Sequence, residues 1–171
     1  MIDLALIAVC APNVAPATIQ AIIKVESGGN PLAVNVNKRG GVSYPIPKII
    51  KSTGEAVRAA YAAIEAGHTV DMGYMQVNSA NLPKLGYTVE DMFDPCKNIA
   101  AGAKVLSLSY AQALSRYSSE QAALRAALSA YNTGSFNRGF ENGYVQKYVP
   151  ATAAPRSSLQ EALTSDIRLS W

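Results

Sequence analysis

IIKVESGGNP, residues 22–31, closes an apolar helical pattern with a carboxylate. Four residues at the i, i+3, i+4 and i+7 spacing form one face of the predicted helix: Ile19, Ile22, Ile23 and Glu26. The glycine pair 28–29 predicts that the helix ends immediately afterwards. Glu26 is therefore expected on the apolar face of the last helical turn, where a purely structural carboxylate is unfavourable.

Two physical effects act on a carboxylate in that position. Burial disfavours its charged form, and so does the negative end of the helix dipole, so both predict a raised pKa for Glu26. A carboxyl group that keeps its proton near neutral pH is suited to donate it to a glycosidic oxygen as a general acid. The alternative interpretation is that Glu26 only flanks the stripe and reaches solvent past Gly28.

The composition sets the class of protein. With 171 residues, 49% apolar and 16% charged, the chain is expected to form one compact domain with a sizeable core. The net charge is +3 and the basic residues are scattered, which disfavours nucleic acid as a partner.

No apolar stretch approaches the length of a membrane span. The opening residues 1–12 lack the positive region of a signal peptide, so any export signal is expected to have been removed already.

Cys10 and Cys96 are too far apart in sequence for a paired-cysteine metal motif, and only His68 could assist them. No metal and no cofactor are therefore expected. From the residues alone the two cysteines are either free buried thiols or a disulfide, and only an oxidising compartment would decide between them.

Three further helices are predicted from start and stop signals. The second opens with the capping box Ser52 and Glu55 and ends at Gly67. The third opens at Asp94-Pro95. The fourth opens with a capping box at Ser118 and Gln121 and ends at Gly134. Their apolar stripes are, in order, Val57, Tyr61 and Ile64; Ile99, Ala103, Leu106, Tyr110, Leu114 and Tyr117; and Leu124, Leu128 and Tyr131.

The remaining segments give weaker patterns. Residues 32–50 predict either a short irregular hairpin or a long loop, because they combine β-branched residues, a glycine pair and two prolines. Short helical turns are expected near Asn78 and Thr88. The predicted domain covers residues 1–149, and the tail 150–171, rich in Ala, Ser, Thr and Pro, is expected to be partly disordered or to lie along the surface.

Three motifs beyond Glu26 combine residue types that suit a sugar. DMGYMQVNSANL, residues 71–82, offers Met75 as an adaptable apolar wall and the amides Gln76 and Asn78 for an uncharged, hydroxyl-rich and acetamido-rich ligand. It is also typical of a helix start with Asn78 as the cap. SAYNTG contributes Tyr131, and GYVQKYV contributes Tyr144 and Tyr148; each of these rings is also typical of ordinary core packing.

Taken in order, VESGGNPLAVN, DMGYMQVN, SAYNTG and GYVQKYV resemble the motifs of the soluble lytic transglycosylase family, which has a goose-type lysozyme-like fold. CAPNVAP, FDPCKN and the run NPLAVN are similar to the branch of that family attached to type IV secretion and conjugation machines. The resemblance covers about residues 4–149. The chain departs from the family pattern with Tyr74 in place of Leu, which is expected to alter the shape of the wall rather than the chemistry. Thr133 in place of Ala is a second, modest departure.

The resemblance implies a mainly α, lysozyme-like fold with a short irregular hairpin or loop at the cleft. It implies cleavage of the β-1,4 bond between N-acetylmuramic acid and N-acetylglucosamine without water as the nucleophile, leaving a 1,6-anhydro end. By that analogy Glu26 is the catalytic acid and then the base. Ser27 would steady the Glu26 carboxylate, and Tyr144 would form a hydrogen bond near Glu26. Met75 would line the cleft. The remaining substrate-binding residues by this analogy are Gln76, Asn78, Tyr131 and Asn132.

The mechanism uses one carboxylate, and no second one is obvious. Asp71 precedes a glycine by two residues and is expected to be a helix N-cap or turn residue. If it reaches the site, hydrolysis by a muramidase is the alternative function. A wall-binding assembly protein without catalysis is the other alternative.

The resemblance also implies where the protein works. A periplasmic monomer is expected, with peptidoglycan as substrate and components of the secretion or conjugation machinery as partners. Because that compartment is oxidising, Cys10 and Cys96 are then expected to form a disulfide.

Overall fold

A computed structural model describes residues 2–148. Within that range the chain forms seven α-helices and a three-stranded sheet. The helices are α1 (Leu4–Cys10), α2 (Pro16–Ser27), α3 (Thr53–Glu65), α4 (Leu82–Leu85), α5 (Pro95–Leu114), α6 (Glu120–Thr133) and α7 (Arg138–Glu141). The strands are β1 (Val34–Val36), β2 (Val70–Met72) and β3 (Val77–Asn78). Turns of 3-10 helix cover Ser79–Asn81, Glu90–Phe93 and Val145–Tyr148.

The chain divides into two compact units, with the boundary after Ala103. The first contains α1 to α4, the sheet and the start of α5, and the second contains the rest of α5 together with α6 and α7. The prediction of a mainly α fold is confirmed. The predicted tail, 150–171, lies outside the described residues. Across residues 2–148, no helix is both long and apolar enough to span a membrane.

Helix α2 has the predicted bounds and the predicted buried face. Pro16 occupies its first turn, and Gly28 ends it in the left-handed conformation with φ 63°. Ile19, Ile22 and Ile23 are buried. The apolar spacing in the sequence therefore identified both the helix and the side that packs inward.

Helix α3 begins as predicted but buries a different face. The Ser52 hydroxyl accepts from the Glu55 N–H, while a Glu55 carboxylate oxygen accepts from the Lys51 N–H at 2.8 Å. The buried residues are the small ones, Ala56, Ala59, Ala60 and Ala63, whereas Tyr61 is exposed. Alanine allows α3 to approach the sheet closely, which larger side chains of the predicted stripe would prevent.

The sheet is antiparallel in the order β1-β2-β3, and it was only partly predicted. Segment 32–50 supplies one strand and an isolated bridge between Arg39 and Val42, and the other two strands come from residues 70–78. Asp71 lies in the middle of β2, so its prediction as a helix N-cap or turn residue is wrong. The helical turns expected near Asn78 and Thr88 are confirmed.

Helices α5 and α6 differ from their predictions at the ends. Asp94 caps α5 by accepting from the Lys97 N–H at 2.9 Å, as predicted, but α5 ends at Leu114 and Tyr117 lies beyond it. The N-cap of α6 is Ser119 rather than Ser118, and its hydroxyl accepts from the Ala122 N–H. With two serines in a row, the sequence alone does not show which one adopts the extended conformation of a cap.

Helix α1 was not predicted, although Asp3 caps it by accepting from the Ala5 N–H. Its last residue, Cys10, forms a disulfide with Cys96 in the first turn of α5, so the predicted disulfide is confirmed. The bridge ties the start of the first unit to the segment that supports the site described below.

Candidate active site

Glu26 lies half-buried in the last turn of α2, one residue before Ser27. The three buried isoleucines of the same helix fix the rotation of α2, because any other rotation would expose them. The glycines that follow take positive φ, so the chain turns away without a side chain beside the carboxylate. The helix end thus presents Glu26 at the margin of the core.

Ser27 bonds the end of α2 to a second segment of the chain. Its hydroxyl donates to the Tyr74 carbonyl oxygen at 2.8 Å and lies 3.2 Å from the Ile23 carbonyl oxygen. It also accepts from the Gly29 N–H at 3.2 Å. Ser27 therefore holds the end of the helix against the turn of residues 73–76, and its predicted contact with the Glu26 carboxylate stays a prediction.

The turn of residues 73–76 has a backbone that only particular residues allow. Gly73 has φ 71°, and a Cβ there would collide with the Met92 carbonyl oxygen and the Asn98 side chain. Gln76 is the single residue other than glycine with positive φ, 49°, among the described residues. The turn is therefore held in an unusual shape by its surroundings.

Asn98, in the first turns of α5, supplies much of that support. Its side-chain oxygen accepts from the Met75 N–H at 2.8 Å, and its amide donates to the carbonyl oxygens of Met72 and Met92 at 2.9 and 3.0 Å. Asn98 is 1% exposed, so these bonds satisfy groups that water does not reach. The sequence did not predict this role, although Asn98 is the last residue of the segment FDPCKN.

Gln76 uses its side-chain amide within the protein. Its oxygen accepts from the Asn35 amide at 2.6 Å, and its nitrogen donates to the carbonyl oxygens of Gly73 and Ala33 at 2.9 and 3.3 Å. The amide thus joins β1 to the turn and orients Asn35, which is exposed. A sugar contact by Gln76 itself stays a prediction, and it would use the remaining lone pair of the oxygen.

One face of the sheet is polar, and we call it the polar face: Asn35, Asp71 and Asn78, which are cross-strand neighbours. Asp71 accepts from the Asn78 amide at 2.6 Å and from the Asn37 amide at 2.9 Å. Burial raises the pKa of Asp71, and the two amide bonds partly oppose that rise. Asn78 also caps the following 3-10 turn by accepting from the Ala80 N–H at 2.9 Å.

Met75 was predicted to line the cleft, and the structure places its side chain in the core, 0% exposed. A Cβ at Gly102 would lie 2.7 Å from the Met75 sulfur, so α5 approaches the turn at a glycine. Met75 thus packs behind the turn of residues 73–76, against α5. A direct contact between Met75 and a ligand stays a prediction.

The remaining predicted residues lie in the second unit, at the end of α6 and after α7. Tyr131 is half-buried, and Asn132 is exposed and accepts from the Asn142 amide at 3.2 Å. Tyr144 is 4% exposed, and its hydroxyl lies 2.8 Å from that of Tyr148. The sugar-binding roles of Tyr131, Asn132 and Tyr144 stay predictions.

Ser129 organises this part of the second unit and was not singled out from the sequence. Its hydroxyl donates to the Ser135 carbonyl oxygen at 2.6 Å and accepts from the Gly139 N–H at 2.8 Å. A Cβ at Gly139 would collide with Ser129. The serine of SAYNTG therefore joins the end of α6 to α7, which only a structure reveals.

The first unit also contains an open cavity of about 500 Å³ at the end of α3. Its lining includes Tyr61, His68, Ser79 and Tyr87. None of these residues was predicted to bind a ligand. Within residues 2–148, no three His, Cys, Asp or Glu side chains lie close enough together to hold a metal ion.

Known proteins similar to this chain share most of its length. It is 38% identical over 160 residues to the protein virB1 of Agrobacterium fabrum, covering 89% of this chain and 63% of the relative. It is 43% identical over 146 residues to the type IV secretion system protein virB1 of Brucella abortus, covering 82% and 59%. The chain thus spans about three fifths of the length of these relatives. No solved structure matches it.

The transglycosylase SLT domain matches residues 3–152. That range contains the Glu26-Ser27 pair and the turn to which Ser27 is bonded. It also contains the end of α6 with Tyr131 and Asn132. The motifs that suggested the family agree with this match, and the chain belongs to the transglycosylase SLT domain family.

Proposed function

We propose that this protein is a lytic transglycosylase that cleaves the β-1,4 bond between N-acetylmuramic acid and N-acetylglucosamine in peptidoglycan. The observation that carries the proposal is the bond from the Ser27 hydroxyl to the Tyr74 carbonyl oxygen. It fixes the helix end that bears Glu26 against a turn whose shape is itself fixed by Asn98. A proton donor must be held in place relative to the bond that it protonates, and this arrangement supports such a role.

The proposed reaction needs one carboxyl group and no water. Glu26 donates its proton to the glycosidic oxygen as the bond from that oxygen to C1 breaks. The acetamido oxygen of the muramyl residue stabilises the positive charge that develops at C1, an exception to the usual pair of carboxylates. The C6 hydroxyl oxygen of the same sugar then bonds to C1 and returns its proton to Glu26, which leaves a 1,6-anhydro end and regenerates the acid.

The polar face suits the rest of the substrate. Asn35 and Asn78 offer neutral hydrogen-bonding groups for hydroxyl and acetamido groups, and Asn35 is exposed. Met75 and Gln76 support this surface from within. Sugar contacts by Tyr131, Asn132 and Tyr144, which belong to the second unit, are proposed as well.

A muramidase is the second candidate, because Asp71 lies on the polar face rather than in the turn expected for it. A second carboxylate there would allow water to attack the sugar. Both Asp71 oxygens already accept amide bonds, and these favour a structural role for the carboxylate.

Digestion of purified peptidoglycan in ¹⁸O-enriched water separates these candidates. The proposal predicts fragments with anhydro ends, lighter than the hydrolysis products by one water and free of ¹⁸O. Reducing ends carrying ¹⁸O would establish a muramidase instead. Sugar binding without any cleavage, unaffected by loss of Glu26, would indicate a wall-binding assembly protein.

We also propose that the protein acts in the periplasm and opens the wall for a type IV secretion or conjugation apparatus. The similarity to a protein named as a type IV secretion system component supports this role. Plasmid transfer or secretion in a strain lacking the gene should be restored by the wild-type protein and not by an inactive variant.

A further inference from the structure

Residues 37–52, which we call the basic loop, join β1 to α3 and carry only positive charge. The loop contains four basic residues and no Asp or Glu. All four basic side chains are exposed: Lys38, Arg39, Lys48 and Lys51. Apart from the bridge between Arg39 and Val42, the loop has no regular secondary structure. A loop of this length within a compact unit commonly has a binding or catalytic function.

Several contacts hold the basic loop in place. The Asn37 N–H donates to the Thr69 carbonyl oxygen at 2.9 Å, and the Asn37 carbonyl oxygen lies 2.9 Å from His68 Nδ1. The Tyr44 ring packs against the His68 ring with centroids 5.6 Å apart. At the other end, the Lys51 N–H is bonded to Glu55. The charges therefore project from an anchored segment.

The basic loop begins at the polar face. Asn37 donates to one oxygen of Asp71, and Asn78 donates to the other. Asn35, on the polar face, lies only two residues before Asn37. A glycan strand bound along the polar face would therefore lie beside Asn37, where the basic loop begins.

We propose that the basic loop binds the carboxylates of the stem peptides attached to the glycan strand, an inference that rests on the proposed function. Stem peptides carry several carboxylates, which Lys and Arg side chains attract. Val42 and Ile49, 65% and 71% exposed, offer apolar contacts for the alanine methyl groups of the same peptides. The loop thereby makes the protein selective for peptide-bearing strands. Because the charges are exposed, salt weakens this binding.

The test measures binding separately from cleavage. The variant Glu26→Gln is pelleted with intact peptidoglycan and with peptidoglycan whose carboxyl groups have been amidated. In that background three loop lysines are changed to Gln (Lys38→Gln, Lys48→Gln and Lys51→Gln) or to Arg as the charge-preserving control. Arg39 is retained because its guanidinium lies against Gly67 and supports the loop.

The proposal predicts that affinity for intact peptidoglycan exceeds affinity for the amidated form by about tenfold at low salt, since three exposed pairs each contribute modestly. The three Gln substitutions should bring this ratio close to one, and the three Arg substitutions should preserve it. A pair of Gln substitutions outside the loop, Lys84→Gln with Lys104→Gln, should leave the ratio unchanged.

Equal pelleting with the two substrates would overturn the proposal, and so would a ratio that the loop substitutions do not change. Loop-dependent pelleting with phosphatidylglycerol vesicles, together with equal pelleting on the two forms of peptidoglycan, would assign the loop to a membrane surface instead. Failure of the proposed function is seen separately, as the absence of anhydro ends after digestion by the wild-type protein.

Discussion

At the scale of single residues, Asn98 and Gln76 show how a candidate site is built from buried amides. The side-chain amide of each residue bonds to backbone groups of the turn 73–76 or of neighbouring residues. The Tyr74 carbonyl oxygen of this turn also accepts from the Ser27 hydroxyl. The position of Glu26 relative to the polar face therefore depends on side chains that bond to the backbone of this turn.

Replacing Asn98 by Ala should destabilise the protein strongly. The change leaves the buried Met75 N–H and two carbonyl oxygens without their partner, which is expected to lower the free energy of unfolding by about 2–4 kcal/mol. Urea unfolding followed by circular dichroism measures this. The exposed Asn13→Ala variant is the matched control and should change stability by less than about 0.5 kcal/mol. A loss at Asn98 no larger than the control would contradict this account of the turn.

Asp71 should make stability depend on pH. Burial raises its folded-state pKa above the ordinary value of 3.8, so the folded state holds the proton more tightly than the unfolded state does. The resulting stabilisation is fully present below the ordinary pKa and is lost as the pH rises through the raised one. Relative to Asp71→Asn, the wild-type free energy of unfolding should therefore fall as pH rises through that window and then level off. Denaturation of both proteins over a pH series measures this, and a relative increase with pH would contradict the assignment.

At the scale of elements, helices were predicted better than strands. Apolar spacing and caps identified α2 and the start of α3 because these signals are local in sequence. Strands β2 and β3 are three and two residues long, and β1 pairs with β2 across more than thirty residues of chain. Strands β1 and β2 also pack against α3, and no local pattern contains that information.

The disulfide is the element-scale contact with the largest predicted effect on stability. Cys10 and Cys96 are separated by 86 residues, and the chain-entropy relation credits a loop of that length with about 4.5 kcal/mol. Changing both residues to Ser should lower the free energy of unfolding by up to that amount, as measured by denaturant unfolding. Two titratable thiols in protein purified from an oxidising compartment would show that the bridge does not form.

At the scale of the whole molecule, the order of the motifs was more informative than any one of them. The helix pattern alone favoured a Glu26 that only flanks the apolar stripe and reaches solvent, and Tyr131 alone was typical of core packing. The four motifs in sequence predicted the family correctly, because the chemistry of a family is carried by residues far apart in the chain. Supporting residues such as Ser129 and Asn98 could not be predicted, since their roles consist of hydrogen bonds to backbone groups that the sequence does not locate.

In the proposed reaction Glu26 is the acid and then the base of a cleavage that uses no water. The most direct measurement is the rate at which Glu26→Gln releases anhydro-muropeptides from purified peptidoglycan, with the melting temperature compared with that of the wild type. We predict a loss of at least about a hundredfold, because the amide supplies no proton, together with a melting temperature close to that of the wild type. Release of anhydro products at the wild-type rate by the folded variant would contradict the account.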